Sequence, residues 1–241
     1  MSEAQSDKLA SREDLERLSQ DAVGFGTLEL RAIRALLLRP REALEQWMTL
    51  GPTAGGLYAR PLRLYLSICG VMMLIMFLSG TDGELVKAAP RDFVAGLAKG
   101  AGKSLESYMG DVGNWMNLLL VPLTSALYAL VAAPLLRWWD PENLGWRRGS
   151  RATFVFLSAW SIPIVPLTWW VGNPDSAVWA SLVIVAAALY TFVRMGKSRW
   201  WRTPLGAGLK GLTLTMVLLL TSMIAYAPLF AICFAGAYYI G

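Results

Sequence analysis

The chain has 241 residues, 55% of them hydrophobic and 16% charged, with 22 Lys and Arg against 17 Asp and Glu. Soluble domains carry about a quarter charged residues, whereas long runs here carry none, which predicts a polytopic membrane protein. Most basic residues flank apolar runs, which indicates the positive-inside pattern and excludes a nucleic-acid surface. The sequence has no histidine and only two cysteines, which excludes a disulfide framework and a Cys-rich metal site, and we expect no cofactor.

The first 58 residues are predicted to form a tail and two interfacial helices. Residues 1–24 are polar and acidic, so we expect a cytosolic tail without a cleavable signal peptide. In residues 25–58, Pro40 suits the first turn of a second helix, and both helices are too short and too charged to span a bilayer. The first is predicted to turn Leu30, Ile33, Leu36 and Leu37 to one face, and Glu29, Arg31 and Arg34 away from it.

The second short helix is predicted to carry Leu44, Trp47 and Met48 on one side, with Trp47 among the lipid headgroups. A glycine-rich turn and the anchor Arg60–Arg63 then lead into the membrane. We call residues 27–63 the basic collar. Its predicted contacts with anionic lipid or a partner protein are Arg31, Arg34, Arg39, Arg41, Trp47, Arg60 and Arg63.

Residues 59–241 form the predicted membrane domain, an all-α bundle of about five transmembrane helices. The expected spans are residues 62–78, 115–136, 152–171, 177–193 and 211–238. The last apolar run is longer than a bilayer core requires. It is predicted to be one span kinked at Pro228, and two half-spans returning to the same side are the alternative.

Two features inside the spans bear on packing. A stripe of small residues at four-residue spacing in span two predicts a close helix approach, and its members are Ser125, Ala129 and Ala133. Pro163 and Pro166 predict a kinked or partly unwound span three. The loop Thr81–Gly113 is predicted to carry an interfacial amphipathic stretch from Pro90 to about Met109.

Loop charges predict the topology. The N-terminus and the basic loops 137–151 and 194–210 are expected inside, and the C-terminus outside, in a bacterial inner membrane. Aromatic pairs predict the same orientation. Trp138-Trp139 and Trp200-Trp201 would mark the inner interface, and Trp115, Trp169-Trp170 and Tyr238-Tyr239 the outer one.

Catalytic chemistry is not predicted. The Gly96–Ser104 segment has five residues, not four, between its first glycine and Gly-Lys-Ser, and no strand precedes it, so it is not a phosphate loop. No acid lies inside a span, and those nearest the spans are Asp82, Asp111, Asp140 and Asp175. Because acid–base chemistry and ion-coupled transport need a buried ionisable group, we expect neither an enzyme nor a secondary-active transporter.

Three segments carry a resemblance to a known family. They are Leu36-Leu-Leu-Arg-Pro40-Arg-Glu-Ala-Leu44, the anchor Arg60-Pro-Leu-Arg63, and Leu120-Val-Pro-Leu-Thr-Ser-Ala-Leu-Tyr128. With the order of amphipathic helices and about five spans, the chain resembles bacterial members of the Yip family and related small polytopic families of unknown function. The resemblance implies the fold and does not imply an activity.

Three functions remain open at this point. The first is a non-enzymatic accessory subunit, assembly subunit or membrane organiser that acts through helix packing and the basic collar. It would contact anionic lipids, a membrane-protein partner or a second copy of the chain. The second is a passive channel or lipid-handling transporter that uses the kinked third span. A membrane enzyme ranks last.

Overall fold

The structure is a computed structural model that describes residues 26–79, 89–142, 145–171 and 174–240. The predicted tail and Asp82 lie outside these ranges. The described helices are α1 Thr27–Leu38, α2 Pro40–Thr49, α3 Pro61–Ser79, α4 Arg91–Gly100, α5 Leu105–Trp139, α6 Trp146–Ile164, α7 Thr168–Val171, α8 Pro174–Gly196 and α9 Pro204–Tyr239. Two 3₁₀ turns, Ala54–Gly56 and Val165–Leu167, join α2 to α3 and α6 to α7.

Five helical segments are long and apolar enough to cross a membrane, which confirms the predicted all-helical class. They are Pro61–Ser79, Leu105–Trp139, Trp146–Trp170, Val178–Gly196 and Pro204–Tyr239. The second begins ten residues before the predicted span, because Ser104 caps α5 and its side chain accepts a hydrogen bond from the Ser107 amide. The predicted Pro90–Met109 stretch is therefore two elements, α4 and the start of α5.

α9 continues as one helix of 36 residues through Pro228, rather than as two half-spans. α5 likewise contains Pro122 and Pro134 within 35 helical residues. At 1.5 Å per residue these helices are each about 50 Å long, which exceeds a hydrocarbon core of about 30 Å. In a bilayer, both helices would have to tilt or project beyond the core.

α5 and α9 pack along each other in opposite directions. Near the start of α5, the Tyr108 hydroxyl donates to the Phe234 carbonyl oxygen at 2.8 Å. Near its end, Trp139 lies under the Lys210 ammonium at the start of α9. α4 packs through Val94 and Ala98 where α5 begins and α9 ends. Lys103, in the turn after α4, donates to the Ala237 carbonyl oxygen of α9 at 2.8 Å.

The proline-rich part of span three departs from the α-helix. α6 contains Pro163 and ends at Ile164, and Pro166 lies in the following 3₁₀ turn. Because each proline lacks a donor for the turn before it, the change of helix type falls where the sequence places them. The candidate span Trp146–Trp170, which begins with α6, is also the most buried of the five, with 61% of its most apolar stretch inside the bundle.

Candidate functional site

Three basic segments that are far apart in the sequence meet at one end of the bundle, which we call the collar end. Arg199, in the turn between α8 and α9, joins them. It donates from Nη1 to Asp140 Oδ2 at 2.8 Å, at the end of α5. It also binds Glu45 of α2 with two bonds, from Nε at 3.1 Å and from Nη2 at 3.0 Å. A longer bond of 3.3 Å reaches Glu142.

The two central residues of this ion cluster, Arg199 and Asp140, are buried. The side chain of Arg199 is 5% exposed and that of Asp140 is 0% exposed, while Glu45 and Glu142 are partly in solvent. Burial alone would lower the pKa of Arg199, but hydrogen bonds and charges from Glu45 and Asp140 outweigh it, and the pKa is raised. The guanidinium is therefore charged at every physiological pH. It serves as a permanent cation in a structural ion pair and does not exchange its proton as an acid.

Two more arginines fasten the collar helices to the spans. Arg194 of α8 donates to the carbonyl oxygens of Leu37 and Leu38 at 3.2 and 3.0 Å. Arg151 of α6 donates to the Trp47 carbonyl at 2.8 Å. The last carbonyls of a helix have no partner within it and carry partial negative charge, so both arginines bind the C-terminal turns of α1 and α2.

Helical spacing predicts Glu29 away from the packed face of α1, and this prediction is wrong because Glu29 is buried. Its side chain is 3% exposed, and Oε1 lies 2.8 Å from Arg63 Nε. Its Oε2 accepts a hydrogen bond from the Gly26 amide at 2.9 Å. Of the leucines expected on the packed face, Leu36 is buried, but Leu30 and Leu37 are exposed. α1 therefore presents leucines outward beside its arginines.

The collar arginines expected to meet lipid or a partner are exposed: Arg31, Arg34, Arg39, Arg41, Arg60 and Arg63. Trp47 is not. It is 0% exposed, its Nε1 donates to the Ala59 carbonyl at 3.2 Å, and its ring lies 4.9 Å from Tyr58. Trp47 is thus a core residue of the collar and is not among headgroups. Trp200, expected at the interface, is also 0% exposed and stacks on Phe192 at 5.6 Å.

At the collar end the acidic residues are paired, while most of the basic residues are not. The described residues of 26–63, 137–151 and 194–210 include 15 basic and five acidic ones. Each of the five acids is paired with an arginine: Glu29 with Arg63, Glu42 with Arg39, and Glu45, Asp140 and Glu142 with Arg199. The acids neutralise part of the scaffold, and the surplus charge left on the surface is positive.

A second feature lies at the centre of the bundle. A cavity of about 280 Å³ is lined by residues of α3, α5, α6, α8 and α9, together with Thr168 of α7. Its lining includes ten hydroxyl-bearing residues, one thiol and no charged side chain. Ser125 of the predicted packing stripe lines the cavity, and so do three residues in or next to the Pro163–Pro166 segment, namely Ser161, Ile164 and Thr168.

The small-residue stripe of α5 serves contacts within the chain. Ser125 is buried and its Oγ lies 3.4 Å from Cys69 Sγ of α3, in a hydrogen bond. Ala133 is buried and Ala129 packs at the edge of the main apolar cluster. The stripe therefore has partners within this bundle, and it does not by itself define a surface for a second protein.

Of the acids predicted near the spans, the two whose side chains the structure describes are each paired with a basic side chain. Asp111 accepts a bond from Lys103 at 2.8 Å, so the lysine of the glycine-rich segment is engaged in a structural ion pair. Asp140 is held by Arg199, and the side chain of Asp175 lies outside the description. Within the described ranges no cluster of three or more His, Cys, Asp or Glu could hold a metal ion.

The fold and the collar define a class: an all-helical chain with five helical segments long and apolar enough to cross a membrane, and two short N-terminal helices bound at one end. Comparison with protein-family models, with curated proteins and with solved structures finds no match. The resemblance to the Yip family therefore stays a prediction.

Proposed function

We propose that this chain is a non-enzymatic multi-pass protein of a bacterial inner membrane, acting as a membrane organiser or accessory subunit. Its working surface is the basic collar, which binds anionic lipid headgroups at the cytoplasmic face. The N-terminus would be cytoplasmic and the C-terminus periplasmic, as the loop charges predict.

One observation supports this proposal above the others. The collar helices are held to the bundle by hydrogen bonds from Arg151, Arg194 and Arg199. Arg31 and Arg34 are exposed on α1 and make no ion pair with a described acid. The charges of Arg31 and Arg34 are therefore not neutralised within the described part of the chain, and they remain available to an anionic ligand.

The apolar neighbours of these arginines fit a lipid surface better than water. Leu30 and Leu38 are about 60% exposed on the same short helix. Exposed leucines beside arginines are typical of a helix that lies in the interface plane, with its apolar side in the acyl boundary and its cations at the phosphates. Each basic residue near an anionic surface contributes about 1 kcal/mol, so a few exposed arginines suffice for a measurable preference.

The test is native mass spectrometry of the full chain after mild detergent extraction. We expect bound phosphatidylglycerol or cardiolipin in preference to phosphatidylethanolamine. A protein partner in fixed stoichiometry would instead support the accessory-subunit form of the proposal. A chain that carries neither, and that binds anionic and zwitterionic lipid equally when both are added back, would contradict it.

The cavity supports a second candidate function, the passive movement of a neutral solute or lipid. It lies beside the 3₁₀ turn of span three, where the α-helix is interrupted. Proteoliposomes that contain the chain should then show flux or lipid scrambling above protein-free vesicles. Equal rates in both would remove this candidate and leave the collar proposal intact.

A further inference from the structure

The central cavity differs from an ordinary packing defect in its size and lining. Its volume of about 280 Å³ is far above the roughly 10–15 Å³ that one water requires. It approaches the lower limit of small-molecule pockets, about 300 Å³. Apolar packing defects are lined by aliphatic carbon, whereas here hydroxyls from all five candidate spans converge.

Much of the polar lining is already partly engaged in a way that leaves acceptors free. Thr124, Thr215 and Ser222 donate their hydroxyl protons to carbonyls of their own helices at 2.6–2.8 Å. A hydroxyl oxygen that donates once retains lone pairs, so these side chains can still accept a hydrogen bond from a guest molecule.

The tyrosines contribute the donors. Tyr65 lies beside Ser125 and Cys69, and Tyr128 lies beside Ser222. Tyr226 also lines the cavity, and its ring centroid lies 6.4 Å from that of Phe230. Tyr226 is half-buried, and its hydroxyl has no hydrogen-bond partner in the described part of the chain. A guest with a hydroxyl or carbonyl oxygen could therefore accept a hydrogen bond from it.

The lining also selects against charge. No Asp, Glu, Lys or Arg is among the lining residues. An ion in a low-dielectric site without a counter-ion costs several kcal/mol or more, so an anion or cation would be excluded while a neutral molecule would not.

Access comes from the lipid side. Ser181 of α8 lines the cavity and is exposed, and its neighbours Val178 and Leu182 are exposed apolar residues. A molecule dissolved in the acyl region can therefore reach the cavity along an apolar surface.

We propose that this cavity is a binding site for an uncharged lipophilic molecule with a hydroxyl or carbonyl head, which enters from the bilayer beside Ser181. The head group contacts Tyr226 and the neighbouring hydroxyls, and the hydrocarbon part packs on the methionine and leucine side of the lining. This site is independent of the collar. It rests on the second candidate function, passive movement through the cavity, and names its ligand class. Binding without flux would contradict passive movement and leave the binding site intact.

The experiment uses Cys69, which lines the cavity, as a reporter in the Cys233→Ser variant of the full chain in phosphatidylcholine nanodiscs. The neutral reagent N-ethylmaleimide should modify Cys69, and a thiosulfonate carrying a trimethylammonium group should not. Preincubation with 1-decanol should slow the modification at least threefold, whereas decanoate and decane should not.

Tyr226→Phe should raise the decanol concentration for half-protection about fivefold, because one hydrogen bond to the head group is lost. Tyr239→Phe, an exposed tyrosine outside the cavity, should leave it unchanged. A second reporter, Ser181→Cys in a chain lacking both native cysteines, should show the same pattern at the mouth. The proposal is overturned if neither reporter is protected by decanol, or if decanoate or decane protects equally.

Discussion

Arg199 and Asp140, 59 residues apart in the sequence, form a buried ion pair with 2.8 Å between Nη1 and Oδ2. Asp140 terminates α5, and Arg199 lies in the turn that leads to α9, so the pair closes the collar end of the long α5–α9 antiparallel pair. Glu45 extends the pair to α2. One guanidinium therefore joins α2 to the ends of two long helices of the bundle.

Asp140→Asn should destabilise the protein by about 3 kcal/mol, because it leaves a buried guanidinium without its closest counter-ion. The apparent thermal midpoint in detergent should fall by roughly 6–12 °C. Glu42→Gln is the matched control, because the Arg39–Glu42 pair is long and exposed, and its midpoint should move by less than about 2 °C. Equal shifts in the two variants would mean that the cluster does not hold the collar.

Arg194→Ala should loosen α1 without unfolding the bundle. The two bonds from Arg194 to the Leu37 and Leu38 carbonyls are lost, and hydrogen exchange of the amides in Thr27–Leu38 should accelerate roughly tenfold. Arg202→Ala removes the same charge from an exposed position in the neighbouring turn, and it should leave that exchange unaltered. Unchanged exchange in Arg194→Ala would show that α1 is held by apolar contacts alone.

Gly236→Ala should destabilise the end of the bundle opposite the collar by about 1–3 kcal/mol through overpacking. A Cβ there would lie 2.7 Å from the Trp115 ring. Gly208→Ala lies on the same helix with open space around it, so it should be neutral or stabilise by up to about 1 kcal/mol through helix propensity. Thermal unfolding of both variants gives the comparison, and a neutral Gly236→Ala would mean that α5 and α9 are not in close contact there.

Glu29→Gln should cost about 1–3 kcal/mol, because a buried carboxylate that caps α1 and pairs with Arg63 is replaced by a neutral amide. Glu106→Gln, in the exposed first turn of α5, is the control and should change stability by less than about 0.5 kcal/mol. If the two variants unfold alike, Glu29 contributes no more than a surface carboxylate.

The five spans could be predicted because an uncharged apolar run of bilayer length has few other stable environments. The bounds of α5 could not, because its first ten residues are too polar to count as a span and are helical through packing on α4 and α9. The meeting of the three basic segments follows the charge pattern, since all three were expected on one side of the membrane.

The ion cluster around Arg199 could not be predicted from the sequence. Arg199 and Glu45 are 154 residues apart, and a loop with five bases and no acid predicts a surface, not a buried arginine. The only available sign was Asp140, an acid directly after a span in a basic loop. Trp47 and Trp200 were misplaced for a related reason, because aromatic residues near span ends are common both at interfaces and in cores.

The central claim is that the exposed arginines of the collar bind anionic lipid, and it is tested most directly by lipid association of the Arg31→Gln/Arg34→Gln variant. Both residues are exposed and neither pairs with a described acid. The control is Arg91→Gln/Lys99→Gln, which removes two cations from α4 near the opposite end. Bound phosphatidylglycerol per protein is counted by native mass spectrometry at low and high salt. We expect a loss of about tenfold in affinity for the collar variant, none for the control, and a smaller difference at high salt. Equal retention of phosphatidylglycerol by both variants would contradict it.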